Sequence, residues 1–178
     1  MRAIVILTVF LTSLLLLSCD SKPTLQKYFV ENSEKNNFVV LDISPSILNV
    51  DKAKLSAEQK AALASFDKMN ILAFKLDEKN KETYEAESQK VAQIMKGKDY
   101  QQLMKVGSGK DAASISFVGD EDNINEFVVF AKRKENGFAV VRILGDDMNP
   151  NNIMTMLSVL REANIDTAQL APLKDLIK

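Results

Sequence analysis

Cys19 is the only cysteine of the 178-residue chain, and its surroundings indicate what its thiol does. Arg2, an apolar run at residues 3–17 and the small residue Ser18 precede it. These are the charged start, the apolar region and the cleavage position of a secretory signal. A cysteine directly after such a cut is the residue that bacterial lipoproteins acylate, with palmitate among the usual chains. The apolar run is shorter than the roughly 20 residues that span a bilayer, so we predict cleavage and lipidation at Cys19.

This interpretation divides the chain into three parts. We predict a lipoprotein signal peptide at residues 1–18, a lipidated tether at 19–24 that contains Pro23, and one domain at 25–178. Two or three acyl chains, at about 0.8 kcal/mol per buried methylene, would hold the mature protein on a membrane surface. An uncleaved anchor, or a secreted protein with one stray cysteine, is the alternative.

The composition excludes several classes of chemistry. The chain has no histidine, the base of serine–histidine and cysteine–histidine nucleophiles and a usual ligand of zinc, copper and non-haem iron. Carboxylate acid–base chemistry, a serine–lysine dyad, and calcium or magnesium binding by oxygen ligands stay open. The 23 basic and 24 acidic residues are mixed along the sequence, so no basic stripe predicts a nucleic-acid partner.

Two groups of carboxylates are the candidates for acid–base or metal chemistry. The group that follows β-like residues 138–144 contains the start of a calcium loop at Asp147. In that loop, however, Asn152 stands in place of the turn glycine and Ser158 in place of the bidentate glutamate. We therefore predict a charged inter-strand loop and helix capping, with no catalytic residue, metal or cofactor; a carboxylate-based hydrolase is the alternative. The groups are Asp120, Glu121, Asp122 and Glu126, and Asp146, Asp147, Asn149 and Asn151.

Two short motifs are similar to catalytic signatures but lack essential members. Residues 106–111 would need a glycine at Met104 and a serine or threonine at Asp111 to form a phosphate-binding loop. Ser65 and Lys68 have serine-x-x-lysine spacing, but no Lys-Thr-Gly or Ser-Asp-Asn accompanies them. We predict a surface loop and a solvated helix face instead.

The elements that position these residues follow from hydrophobic periodicity. Consecutive strands late in the chain predict an α+β fold: a single two-layer domain with an about five-stranded, mostly antiparallel sheet and helices on one face. Asn136-Gly137 predicts a type I′ hairpin turn between the last two strands. Predicted helices are 25–31, 56–69 with a capping box, 80–95, a short one at 100–104, and two that begin at Pro150 and Asp166. Predicted strands are 38–43, 71–76, 114–117, 125–132 and 138–144.

Five segments carry a resemblance to a known family. They are residues 38–45, 68–74, 100–104, 120–130 and 141–150. In order and spacing they resemble the domain-of-unknown-function family 4252, small lipoproteins of Bacteroidetes and particularly of flavobacteria, across residues 25–178. These are strand and turn motifs without catalytic residues. The resemblance implies a Gram-negative envelope lipoprotein of unknown activity.

We therefore expect a non-catalytic binding or interaction module that is lipid-anchored in the cell envelope, on the periplasmic side of the outer or inner membrane. Its expected partners are the membrane and another envelope protein or a small ligand; a regulatory or stress-response lipoprotein is a further alternative. Exported proteins of that phylum are O-glycosylated at Asp-Ser/Thr followed by a small or apolar residue, and Asp166-Thr167-Ala168 fits that pattern. A capping role of Thr167 in the last helix is the competing interpretation.

Overall fold

The computed structural model describes residues 22–49, 54–109, 111–162 and 164–165. Four helices lie in these ranges: α1 (Leu25–Asn32), α2 (Ala57–Ala64), α3 (Lys81–Ile94) and α4 (Pro150–Glu162). The long strands are β1 (Phe38–Ile43), β3 (Phe66–Lys75), β4 (Gln101–Ser108), β5 (Asp111–Asp120), β6 (Asn123–Arg133) and β7 (Gly137–Met148). Two-residue strands β2 (Leu48–Asn49) and β8 (Asn164–Ile165) pair with each other, and a 3₁₀ turn at Pro45–Ile47 precedes β2.

The six long strands form one antiparallel sheet in the order β1-β3-β7-β6-β5-β4. The predicted α+β class and antiparallel sheet are confirmed, but the sheet has six strands rather than about five. The additional strand is β4, where the sequence predicts a short helix at residues 100–104. Pairing of β4 with β5 along most of its length outweighs the helical spacing of Leu103 and Met104.

Helices pack against both faces of the sheet, whereas the sequence predicts helices on one face only. On the α1/α3 face, Phe29 and Tyr84 join a core with alternate residues of β1, β3, β6 and β7. On the opposite α2/α4 face, Leu63 and Ile153 contact the intervening strand residues, among them Phe127 and Ile143. Side chains alternate between the faces of a strand, so the two clusters lie on opposite sides of the sheet. The domain therefore has three layers.

An aromatic cluster holds α3 to the sheet. The rings of Phe74 and Phe138 stack at 5.4 Å, and Phe38 meets Phe74 edge-on at 5.0 Å. Tyr84 of α3 lies 6.0 Å from Phe138. Offset-stacked and edge-to-face pairs are the favoured arrangements of aromatic rings, so these contacts fix α3 over β3 and β7.

The predicted helix at residues 56–69 is confirmed at its start and wrong at its end. Ser56 and Gln59 form the expected capping box, with hydrogen bonds of 3.1 and 2.9 Å. The helix ends at Ala64, because Phe66 already belongs to β3 and pairs with Gly145 of β7. The second strand therefore begins five residues before the predicted Ile71.

The hairpin between β6 and β7 is confirmed, but its turn type is not. Arg133 pairs with Gly137, which leaves a three-residue loop at 134–136. A type I′ turn would give Asn136 a positive φ. In the described chain Asp147 is the only non-glycine residue with a positive φ, whereas Gly137 has a φ of +122°.

Helix α4 begins at Pro150 as predicted, and the expected helix from Asp166 lies outside the described residues. Within the described ranges, no helix combines the length and the apolar character needed to cross a bilayer.

Candidate functional site

The two predicted modification sites, Cys19 and Thr167, lie outside the described residues, and both stay predictions. The structure does describe residues 22–24, at the end of the predicted tether. Thr24 caps α1, because its hydroxyl accepts a hydrogen bond of 3.2 Å from the backbone N–H of Lys27. Leu25, the next residue, is fully buried. Thr24 and Leu25 are thus part of the first helix and its cap, and the predicted boundary between tether and domain stays a prediction.

The predicted carboxylates do not come together in one site. Asp120, Glu121 and Asp122 are exposed at the turn from β5 to β6. Asp146 and Asp147 are exposed near the end of β7. Across the described residues, no group of three or more histidine, cysteine, aspartate or glutamate side chains is placed to hold a metal ion.

Glu126, the remaining member of the first group, is held by a buried arginine that the sequence patterns do not single out. Arg142 Nε donates to Glu126 Oε1 at 2.7 Å, and its Nη2 donates to Oε2 at 3.2 Å. The side chains of Arg142 and Glu126 are only 6% and 12% exposed. Arg142 also donates to Gln26 of α1 at 2.6 Å, and its guanidinium lies 5.5 Å from the ring centre of Phe29. This bidentate pair joins α1 to β6 and β7, so Glu126 has a structural role.

A second buried polar network connects α1 to α3. The hydroxyl of Tyr28 donates to Glu87 at 2.8 Å, and Lys90 donates to the other carboxylate oxygen of Glu87 at 2.7 Å. Burial, together with the hydrogen bond to Glu87, raises the pKa of Tyr28 far above its ordinary value. The phenol therefore stays protonated and acts as a donor that orders the two helices.

The two motifs with catalytic spacing have local structural roles. Ser65 ends α2 and donates to the carbonyl of Ala62 at 3.0 Å. Lys68 lies in β3, so the predicted solvated helix face is wrong and the two residues do not share a helical turn. Within residues 106–111, Val106 to Ser108 end β4 and Asp111 begins β5, and Gly107 and Gly109 have positive φ angles.

A concave surface that carries three lysines lies on the α1/α3 face, beside α3. The hydrophobic core on this face contains residues of β1, β3, β6 and β7 but none of β4 or β5, and a groove lies between the end of α3 and these two strands. This groove has a volume of about 350 Å³. We call it the lysine groove, because Lys96 of the segment after α3, Lys105 of β4 and Lys132 of β6 line it. Its other lining residues are Ala92, Met95, Gln102, Gly109, Ala112, Ala113, Ser114, Ser116 and Phe130.

The strand register places two of the lysines on opposite sides of the floor. Lys105 pairs with Ser114 of β5, which in turn pairs with Phe130. Lys132 pairs with Ala112. Cross-strand partners share a face, so Ser114 and Ala112 lie between the two lysines. Small side chains at these positions leave the space that the groove occupies.

The lysine groove is electropositive. No carboxylate side chain is among its lining residues, and none of the three lysines has an ion-pair partner within 4 Å in the part of the chain that the structure describes. The sequence predicts Ser114 and Ser116 on a wet strand face, but Ser116 is only 3% exposed. Ser116, which pairs with Gln102 and Val128, therefore lies at a covered end of the groove.

Strand β4, which forms the outer wall, is an edge of the sheet. Among the described residues β4 pairs with β5 alone, and all eight of its residues are exposed. Met104 and Val106 are 49% and 60% exposed. Met104 and Val106 pair with Ile115 and Ala113, so their side chains lie on the α2/α4 face, opposite the groove. The outer edge of β4 carries the backbone groups that β5 does not pair.

One comparison identifies relatives of this chain. The family model described as "Domain of unknown function (DUF4252)" matches residues 28–156. No curated protein and no solved structure matches. The matched range contains all six strands of the large sheet and every residue that lines the lysine groove. The chain therefore belongs to the DUF4252 family.

Proposed function

We propose that this protein is a lipoprotein of the cell envelope that acts as a non-catalytic binding module, anchored through Cys19 on the periplasmic side of the outer or inner membrane. The observation that carries the binding role is the lysine groove, where three lysines without ion-pair partners among the described residues surround an apolar and hydroxylated floor. Concave, mostly apolar surfaces with a few polar groups are typical of ligand sites.

The tether supports a position close to the bilayer. Five residues lie between Cys19 and buried Leu25, which makes six steps along the chain, and an extended chain covers at most about 3.3–3.6 Å per residue. The first turn of α1 would thus stay within about 20 Å of a lipid on Cys19. Thr24 and Ile94 line a common surface cleft, so α3 lies beside the tether as well as beside the groove.

The positions of the carboxylates favour binding over hydrolysis. A general acid and base must face one reacting bond, with the two groups placed by the fold. Here the carboxylate of Glu126 forms an ion pair with Arg142, while Asp120 and Asp146 are exposed. The binding role needs no such pair.

The anchor is tested by Cys19→Ala in the full chain, with Ser21→Ala as the matched control. Cells that express each variant are labelled with a palmitate analogue and fractionated. We expect Cys19→Ala to lose the label and leave the membrane fraction, whereas Ser21→Ala keeps both. A labelled, membrane-bound Cys19→Ala protein would refute the proposed anchor.

The binding role is tested separately with a photo-crosslinking residue in place of Gln102, which lines the groove, and in place of Lys60, an exposed residue of α2. In intact cells we expect a discrete adduct from position 102 and none from position 60. Absence of an adduct at position 102, or equal adducts at both positions, would contradict a specific binding role for this surface.

A further inference from the structure

We propose that the lysine groove binds a single-chain anionic amphiphile, a molecule with one apolar tail and a negatively charged head group. This inference rests on the proposed binding role and specifies its ligand class. Three features of the groove support it: the apolar lining, the position of the cations and the size.

The lining is divided between apolar and polar side chains. Ala92 of α3 and Met95, which follows it, form one wall, and Phe130 lies buried at the base. Ala112 of β5 extends the apolar lining toward β4. Such a surface contacts a hydrocarbon tail favourably, and the polarisable thioether of methionine adapts to tails of different shape.

The cations lie around this lining rather than in one cluster. Lys105 and Lys132 stand on strands that flank β5 and are offset by two residues along it, so two inter-strand spacings of about 10 Å in all and a shift of about 7 Å put their backbones roughly 12 Å apart. Lys96 lies on the opposite wall, just after α3 ends. A head group above Ser114 would therefore have ammonium groups on more than one side. Lysine acts as a point charge without a fixed donor geometry, so the site selects for negative charge and accepts either a carboxylate or a phosphate.

The size of the groove argues against larger anionic partners. Its volume of about 350 Å³ is near the lower end of the roughly 300–1,000 Å³ typical of small-molecule sites. A flat bilayer cannot enter a concave surface of this size, and a nucleic acid would need a longer basic track than three lysines provide. A single tail with one charged head fits both the volume and the charge.

The test uses the mature chain from residue 19 with Cys19→Ser, which keeps every described residue and needs no lipid anchor. Dodecyl phosphate, below its critical micelle concentration, is the probe, and isothermal titration calorimetry measures its Kd. Dodecyl maltoside carries the same tail with a neutral head, and inorganic phosphate supplies the charge without a tail. We expect saturable binding of dodecyl phosphate and at least tenfold weaker binding of the other two compounds.

Variants assign the binding to the groove. We expect Lys96→Gln, Lys105→Gln and Lys132→Gln each to weaken the binding of dodecyl phosphate about two- to fivefold, the range of a partly exposed ion pair, and the triple variant at least tenfold. Lys60→Gln on α2 is the matched control and should bind normally. Ser114→Leu should abolish binding because its side chain fills the floor, and an unchanged circular dichroism spectrum would show that this variant is folded.

Equal affinity for dodecyl maltoside, unaltered affinity in the triple variant, or no binding of dodecyl phosphate would each overturn the proposed ligand class. A failure of the proposed anchor can be told apart from a failure of the proposed ligand. A Cys19→Ala protein that stays on the membrane would refute the anchor, but it would not change the calorimetric titrations of the mature chain. An adduct at position 102 combined with no binding of dodecyl phosphate would refute the amphiphile and leave the binding role.

Discussion

Replacement of Gly137 by alanine adds one methyl group and should cost much stability. The φ of +122° at Gly137 is a backbone conformation that residues with a side chain rarely adopt. A Cβ added here would lie 1.9 Å from the carbonyl oxygen of Phe74, whereas real Cβ contacts essentially never fall below 3.0 Å. Phe74 is fixed in its strand, because it pairs with both Phe38 and Phe138. Strand β3 or β7 would have to move by roughly 1 Å to relieve this overlap.

Two costs therefore combine in Gly137→Ala. Backbone strain contributes about 1–3 kcal/mol and overpacking about 1–3 kcal/mol, so we expect a loss of roughly 2–6 kcal/mol in the free energy of unfolding. Gly109→Ala is the matched control: Gly109 also has a positive φ, of +66°, but beyond its chain neighbours no heavy atom lies within 4 Å of the position that a Cβ would occupy. That variant should lose only about 1–2 kcal/mol. Urea denaturation followed by far-UV circular dichroism measures both variants, and equal losses would refute the role of the Phe74 contact.

Two further predictions concern the buried polar networks. Arg142→Leu should lose about 3–5 kcal/mol because it leaves Glu126 without its partner, while Arg142→Leu combined with Glu126→Leu should recover most of that loss; equal losses in urea denaturation would contradict this. Burial and the Glu87 hydrogen bond raise the pKa of Tyr28 above 10.0, so its contribution to stability is complete below pH 10 and declines as the pH rises further. Tyr28→Phe should flatten that alkaline decline, and a decline as steep as in the wild type would refute the assignment.

Hydrophobic periodicity predicts the strands whose side chains contact apolar residues on both faces of the sheet. Strand β1 begins and ends at the predicted residues, and β6 and β7 differ from prediction only in length. Periodicity fails for β4, where the spacing of Leu103 and Met104 is compatible with a helix and the decisive contact is the long-range pairing with β5. It also fails at Phe66, because a capped helix and a buried strand follow each other without a loop.

The sequence does contain a signal for the buried arginine, because Arg142 is a charged residue in a series of apolar core positions. Phe138, Val140 and Arg142 share one face of β7 by the two-residue period of a strand, and the first two are core residues. A charged residue in that series must find a buried partner, which predicts a carboxylate on a neighbouring element. The identity of that partner, Glu126, depends on the register between β6 and β7, which the sequence does not specify.

The lysine groove depends on long-range structure even more strongly. Lys96, Lys105 and Lys132 belong to three separate segments, and each is an ordinary exposed or half-exposed lysine in its own segment. They surround one surface only because residues 101–108 form a strand and because β5 carries alanine and serine where the other strands carry core residues. If residues 100–104 were helical, Lys105 would not pair with Ser114 and the groove would lose its outer wall. The error in secondary structure and the missed site therefore have the same cause, the pairing of β4 with β5.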